Sequence, residues 1–316
     1  MLWVEKYNSS EELEWDEFVK KSRVPHFIFE RNYIEYHSDR FEDHSLLIRN
    51  NKGSIEAILP ANKSEDRLYS HQGLTFGGII ARYDAKSTNM LKYMETILNY
   101  CKLNNFRSLT YKRVPDIYAV QPNQDDLYAL FYNSATLVGR EITVAVDLTK
   151  PLKMSNLRRR AIKKAKKNGL EVKLCSNLEY YWSTLKTVLE DKYGVAPVHN
   201  IAEITYLTNK FPGNIRCYIV EYEQEVIAGS LIYETSNVVH TQYIAANNLG
   251  REMGALDLIF SHLIEKIYPQ KRYLNFGTSN RNNGFILNEG LIRQKEGFGA
   301  LGFVQDTYQI DLLVSY

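Results

Sequence analysis

His240, Gln242 and Tyr243 stand together in one short run, His240-Thr241-Gln242-Tyr243-Ile244-Ala245-Ala246, whose spacing predicts a strand. An imidazole, an amide and a phenol on one strand can move protons and hold polar substrate atoms. Side chains alternate along a strand, so His240, Gln242 and Ile244 are expected on one face and Thr241, Tyr243 and Ala245 on the other. The run feeds the turn Asn247-Asn248-Leu249-Gly250 and a helical pattern beginning near Arg251-Glu252-Met253-Gly254-Ala255. A helix start there would offer backbone N–H donors and a positive dipole end to a phosphate. Gly250 and Gly254 would let a ligand approach the backbone. A plain strand–turn–helix corner, with Gly254 chosen for packing, fits the same residues.

A second polar string, Asn275-Phe276-Gly277-Thr278-Ser279-Asn280-Arg281-Asn282-Asn283-Gly284, leaves an apolar run and precedes Asn288-Glu289-Gly290-Leu291 and Lys295-Glu296-Gly297-Phe298-Gly299-Ala300. Polar loops after a buried strand are where α/β sheets carry their sites, although a solvated turn has the same composition. A third feature is basic: Arg158, Arg159, Arg160, Lys163, Lys164, Lys166 and Lys167 crowd one helix whose Leu157, Ala161, Ile162 and Ala165 make an apolar stripe. Such a helix can track a nucleic-acid backbone or an anionic surface, or simply be the solvated face of an amphipathic helix. With a net charge of +2 any attraction to polyanions must be local.

The familiar signatures HExxH, the Walker loop, GxSxG and CxxC are missing. The histidines are scattered, so no metal site is expected. Cys101, Cys175 and Cys217 lie far apart in sequence and read as buried thiols. No stretch approaches the roughly 20 apolar residues needed to span a bilayer. The amino-terminal residues lack a signal-peptide layout, so a cytoplasmic address is expected.

The elements that must position these residues are those of a mixed α/β protein. In the first half, helices are expected over 11–21, 31–37, 87–103 and 125–132, a hairpin over 45–60 around Asn50-Asn51-Lys52-Gly53, and strands over 108–111 and 141–148. Thr149-Lys150-Pro151 is the best break, because proline discourages continuation of helix and sheet alike. A chain of 316 residues suits two domains, drawn as 1–150 and 151–316. The second half has helices over 157–167, 178–192 and 201–210, and a meander over 216–221, 225–233 and 238–246. A long helix over 251–268, a strand over 273–276, a helix over 286–294 and a strand over 304–312 complete it.

Three patches carry a family resemblance: Asn156-Leu157-Arg158-Arg159-Arg160-Ala161-Ile162-Lys163-Lys164-Ala165-Lys166-Lys167-Asn168-Gly169, the run Gln242–Ala246 through Gly254-Ala255, and the string from Asn275 to Ala300. In order and spacing they resemble the second domain of FemAB-like acyltransferases. The resemblance implies an α/β mixed-sheet fold of two tandem GNAT-like domains with a cleft between them, the site lying in the second. It also implies direct acyl transfer from an activated carrier to an amine, without a covalent enzyme intermediate.

On that resemblance, Gly250, Arg251, Gly254 and Ala255 would hold the pyrophosphate of an acyl-coenzyme A, although Leu256 departs from the family's Gly or Ala. Lys295 would stabilise developing charge, Tyr243 would supply a hydroxyl, and His240 or Glu289 would relay the amine proton. Gln242, Asn275, Ser279 and Arg281 would touch substrate. The leading expectation is an N-acyltransferase using acyl-coenzyme A, with an amino sugar or surface-glycan precursor as acceptor. One alternative is a Fem-type transferase that takes aminoacyl-tRNA through Arg158, Arg159, Arg160, Lys163, Lys164 and Lys167. Another is a binding module on the same fold without turnover.

Overall fold

Leu46, Ile48, Ala57 and Leu59 alternate inward on either side of the Asn50–Gly53 turn, and they form the expected hairpin in a computed structural model that describes residues 1–312. The backbone groups into two units. Unit 1 holds 1–141, 280–286 and the carboxy-terminal stretch from Val304; unit 2 holds Ile142–Ser279 and Leu287–Phe303. The sequence division at 150/151 followed Pro151. The boundary between the units instead falls inside a strand, at Glu141/Ile142, and two later stretches belong to unit 1.

In chain order, unit 1 begins with β1 (Leu2–Lys6), α1 (Glu12–Lys21), α2 (Arg31–Ile34), β2 (Glu42–Asp43), β3 (Leu46–Asn50) and β4 (Ile55–Leu59). It continues with β5 (Asn62–Ser64), β6 (Arg67–Tyr69), β7 (Ile80–Ala81), α3 (Ser87–Leu103), β8 (Ser108–Lys112) and α4 (Asp125–Tyr132). One sheet has the order β1-β3-β4-β7. Met90, Tyr93, Met94, Ile97, Leu98 and Cys101 of α3, spaced at helical period, bury one stripe in this unit's core.

The next strand, β9 (Thr136–Asp147), enters unit 2 with its second half. There follow α5 (Asn156–Lys167), β10 (Val172–Leu174), α6 (Leu178–Tyr193), α7 (Ile201–Lys210), β11 (Ile215–Tyr222), β12 (Glu225–Glu234) and β13 (Val238–Ala246). Then come α8 (Asn248–Met253), α9 (Ala255–His262), β14 (Tyr273–Thr278), β15 (Asn280–Arg281), β16 (Ile286–Leu287), α10 (Glu289–Glu296) and β17 (Leu301–Asp311). Unit 2 is built on the order β10-β11-β12-β13-β14-β9, antiparallel throughout except for the parallel pair β13 and β14. Its core joins α5 and α9 to one face of that sheet.

Two expected helices differ from the observed ones. The long helix over 251–268 is broken: α8 begins at Asn248 under the Asn247 cap, Gly254 turns left-handed at φ 77°, and α9 starts after it. A π-helical turn over Leu263–Ile267 ends the run. The helix over 286–294 begins later, because Ile286–Leu287 are extended and Asn288 is the cap, its side chain accepting from Leu291 N at 3.0 Å. Tyr273–Thr278 extends past the expected end at 276, and β9 begins earlier than 141. No described helix is long and apolar enough to cross a membrane.

Candidate active site in unit 2

Strands β13 and β14 pair in parallel only through Val238–Tyr273, Val239–Leu274 and His240–Asn275, and both lose regular register just beyond. On β13 the register against β12 jumps from Leu231–Tyr243 to Ile232–Thr241, which makes Gln242 a bulge. On β14 the register against β9 jumps between Asn275 and Thr278, and Gly277 there has φ 71°. The backbone beyond His240 and Asn275 is thus freed from ladder pairing between these two strands, in the middle of a buried sheet. Unpaired strand backbone in such a place needs another partner.

The bulge corrects the alternation expected from sequence. Residues paired across antiparallel strands share a face. Tyr233 pairs with His240 and Leu231 with Tyr243, whereas Ile232 pairs with Thr241 and Ala228 with Ala246 on the α9 face. His240 and Tyr243 therefore share one face, and Ile244 belongs to the other, packed on the core of α5 and α9. One extra residue at Gln242 flips the parity.

His240 hydrogen-bonds the side chains of Asn275 and Gln242, and burial holds its imidazole at a pKa of about 4, neutral at pH 7. Its ring lies against the Cα of Gly277, where an added Cβ would meet Cε1 at 3.3 Å. Asn275 is itself buried, with Oδ1 accepting from Thr143 Oγ1 at 2.9 Å and from Gly277 N. It is thus a brace between β9, β14 and His240. Lys295, on the last turn of α10, is buried and donates to the carbonyls of Gly277 at 3.1 Å and Thr278 at 2.6 Å. It has no carboxylate partner among the described residues, and desolvation pulls its pKa down to about 8.

Tyr243 reaches a histidine that sequence spacing does not connect with it. His199 Nδ1 lies 2.6 Å from Tyr243 Oη, and His199 N donates to the same oxygen at 3.2 Å. The capping box of α7 fixes this loop: Asn200 Oδ1 accepts from Glu203 N, and the Glu203 carboxylate accepts from Asn200 N. Trp182 of α6 packs edge-on to the Tyr243 ring at 5.1 Å. Burial pushes the Tyr243 phenol up to about 12, so it remains a hydroxyl.

Other expected site residues fall elsewhere. Glu289 opens α10 with an exposed side chain, paired with Arg293 at 2.7 Å in an i,i+4 bridge. It is not gathered with His240 and Lys295. Arg281 is exposed and belongs to unit 1. Ser279 is buried, with its hydroxyl unpartnered among the described residues. At the expected phosphate corner Gly250 and Gly254 are in close contact with neighbouring backbone. A Cβ on Gly250 would lie 2.1 Å from Ile227 O, and one on Gly254 would lie 2.6 Å from Ala161 O. Gly250 N donates to Asn247 Oδ1 and Arg251 N to Asn247 O, while the Arg251 guanidinium donates to Ala246 O at 2.6 Å. Ala255 is fully buried. The close backbone contacts account for the lack of a side chain at both glycines.

Gly250 and Arg251 of that corner line a cavity of about 570 Å³, together with Ser155, Arg158, Asp257 and Arg293. Arg158 is drawn inward, ion-paired to Asp257 at 2.8 Å and lying over Phe298. It leaves the basic face. Arg159, Arg160, Lys163, Lys164, Lys166 and Lys167 are exposed, and none has an acidic partner among the described residues.

Comparison of the backbone with solved structures gives full-length similarity. A crystal structure of FemX superposes with a TM-score of 0.68 at 10% identity, covering 97% of each chain. The chain has the tandem-GNAT, FemAB-like fold. L-PGS from Bacillus licheniformis gives a TM-score of 0.61 at 12% identity, over 94% of this chain and 90% of that one. A tandem GNAT protein from the clavulanic acid biosynthesis pathway gives 0.51 at 9% identity, with both chains fully covered. No protein-family model and no curated sequence matches the chain.

Proposed function

We propose that the chain is an N-acyltransferase that moves an acyl group from acyl-coenzyme A to an amine, the acceptor being an amino sugar or a related surface-glycan precursor. The observation that carries this reading is the parting of β13 and β14 beyond His240 and Asn275, with bulges at Gln242 and Gly277. Freed strand backbone there can bind the donor carbonyl and polarise it.

Attack by a neutral amine gives a tetrahedral oxyanion with a positively charged nitrogen; collapse releases the carrier thiolate, which takes a proton, while the nitrogen sheds one, restoring the group that supplied it. Lys295, with a pKa near 8, is charged enough at neutral pH to stabilise the oxyanion and close enough to a thiol's pKa to give that proton. His240 holds Gln242 and Asn275 in place rather than acting as a strong base, since its pKa is about 4. Tyr243, braced by His199, offers a hydroxyl on the same face. The cavity beside Arg158 and Arg251 has the volume for a phosphate-bearing part of the donor.

A second reading is a Fem-type transfer from aminoacyl-tRNA. Six exposed cations on α5, with no acidic partner among the described residues, favour it, because they form a surface that a phosphate backbone can follow. Thiol release from acetyl-coenzyme A in the presence of an amino-sugar panel tests the first reading. Release that needs both protein and amine supports it. Transfer only from aminoacyl-tRNA moves the assignment to the second, and a chain that binds either carrier without transfer is a binding module.

A further inference from the structure

Cys175 and Cys217, 42 positions apart in sequence, stand opposite each other across β10 and β11. The ladder pairs Leu174 with Tyr218, so one further step sets Cys175 against Cys217, and Cys175 N donates to Cys217 O at 2.8 Å. Directly opposed residues of an antiparallel pair have Cα atoms about 4.5–5.5 Å apart, inside the window a disulfide requires. The Cys175 thiol donates to Asn177 O at 3.1 Å, which holds it at the end of β10 beside β11. Both residues line a cavity of about 560 Å³ together with Asn177, Thr205 and Arg216. Cys217 is buried, whereas Cys175 keeps part of its surface in solvent. Sequence spacing gave three separate buried thiols; the strand register makes two of them a pair.

We propose that Cys175 and Cys217 are a redox-active dithiol, reversibly closed to a disulfide by low-molecular-weight disulfides such as glutathione disulfide. The Cys175 thiolate attacks one sulfur of the oxidant and expels one thiolate, leaving a mixed disulfide on Cys175. Cys217 then loses its proton and attacks the Cys175 sulfur, releasing the second small thiol. Two protein thiols become one disulfide while the oxidant is reduced to two thiols, so electrons and protons balance. The order of attack follows from access and from chemistry. The neighbouring Cys217 holds the Cys175 thiol below its ordinary value, and burial holds Cys217 well above. Cys101 is fully buried in unit 1, its thiol pushed up to about 12 by burial. The proposal is independent of the acyl-transfer reading.

The test is titration of the purified chain with glutathione disulfide, followed by denaturing alkylation, intact mass and peptide mapping. Two of the three thiols are expected to become unreactive, in a species two hydrogens lighter, with Cys175 linked to Cys217 and dithiothreitol restoring all three. Cys217→Ser is expected to stop at the glutathione adduct on Cys175, and Cys175→Ser to keep both of its thiols. Wild-type protein that retains three alkylatable thiols, stops at a mixed disulfide, or links through Cys101 would overturn the proposal.

Discussion

Lys295 Nζ lies 3.1 Å from the carbonyl oxygen of Gly277, the residue whose positive φ breaks the register of β14 where it leaves β13. A buried ammonium with carbonyl partners and no carboxylate among the described residues is costly to the fold. The bulge turns that carbonyl, α10 carries the lysine to it, and Phe298, packed on Phe260 and Phe276, anchors the end of α10. The cost and the position point to the same role.

That cost has a pH signature. The Lys295 pKa falls from 10.5 unfolded to about 8 folded, so between those values the unfolded chain holds more protons and stability rises with pH. Below pH 8 the cost is constant, on the order of 3 kcal/mol. Lys295→Met is expected to remove the rise in denaturation midpoint between pH 8 and 10.5 and to slow transfer about 100-fold. A variant with unchanged turnover would remove Lys295 from the chemistry.

The 2.6 Å contact between His199 and Tyr243 gives a coupling prediction. Tyr243→Phe deletes the hydroxyl that accepts from His199 N, at a cost of about 1–2 kcal/mol in stability. If the pair acts as one unit, Tyr243→Phe and His199→Ala lower kcat by similar factors, and the double variant loses little more. Steady-state kinetics on the three variants check this; multiplicative losses would mean two separate roles.

Gly254→Ala tests whether that glycine serves packing. Its φ of 77° disfavours a side chain, and the new Cβ would lie 2.6 Å from Ala161 O of α5. A loss of about 1–3 kcal/mol is expected in chemical denaturation. An unchanged midpoint would reopen Gly254 as an approach for ligand.

Charge removal on α5 separates the two donors. Lys163→Gln, Lys164→Gln and Lys167→Gln together touch exposed, unpaired groups, so thermal stability is expected to hold. If tRNA is the donor carrier, the log–log salt slope of its binding falls by up to about 3. Filter binding at several salt concentrations reads the slope; an unchanged slope takes α5 out of tRNA recognition.

Local pattern carried most of the element order. The α3 stripe, the hairpin at Asn50–Gly53 and the meander ending at Ala246 follow from periodicity and turn chemistry, and their bounds lie within a residue or two of the observed ones. What periodicity could not show were the single-residue events that shape the site. The Gln242 bulge leaves composition untouched yet moves Tyr243 to the face of His240. Gly254 reads as helix interior because the apolar pattern continues through it, and its left-handed φ and closeness to Ala161 have no periodic signal. His199 has no spacing signal, since 44 positions separate it from Tyr243 and the fold alone brings them together. Arg158 looked like its basic neighbours until Asp257 drew it inward.

Hydrogen–deuterium exchange with and without acetyl-coenzyme A, and in parallel with aminoacyl-tRNA, tests the central claim most directly. Amides of Thr241–Ile244 on β13 and Phe276–Thr278 on β14 should exchange more slowly with the true donor bound, because its acyl group occupies the backbone freed where these strands part. Saturating either donor with no added protection in these two segments, or with protection confined to other strands, would contradict the assignment of the site.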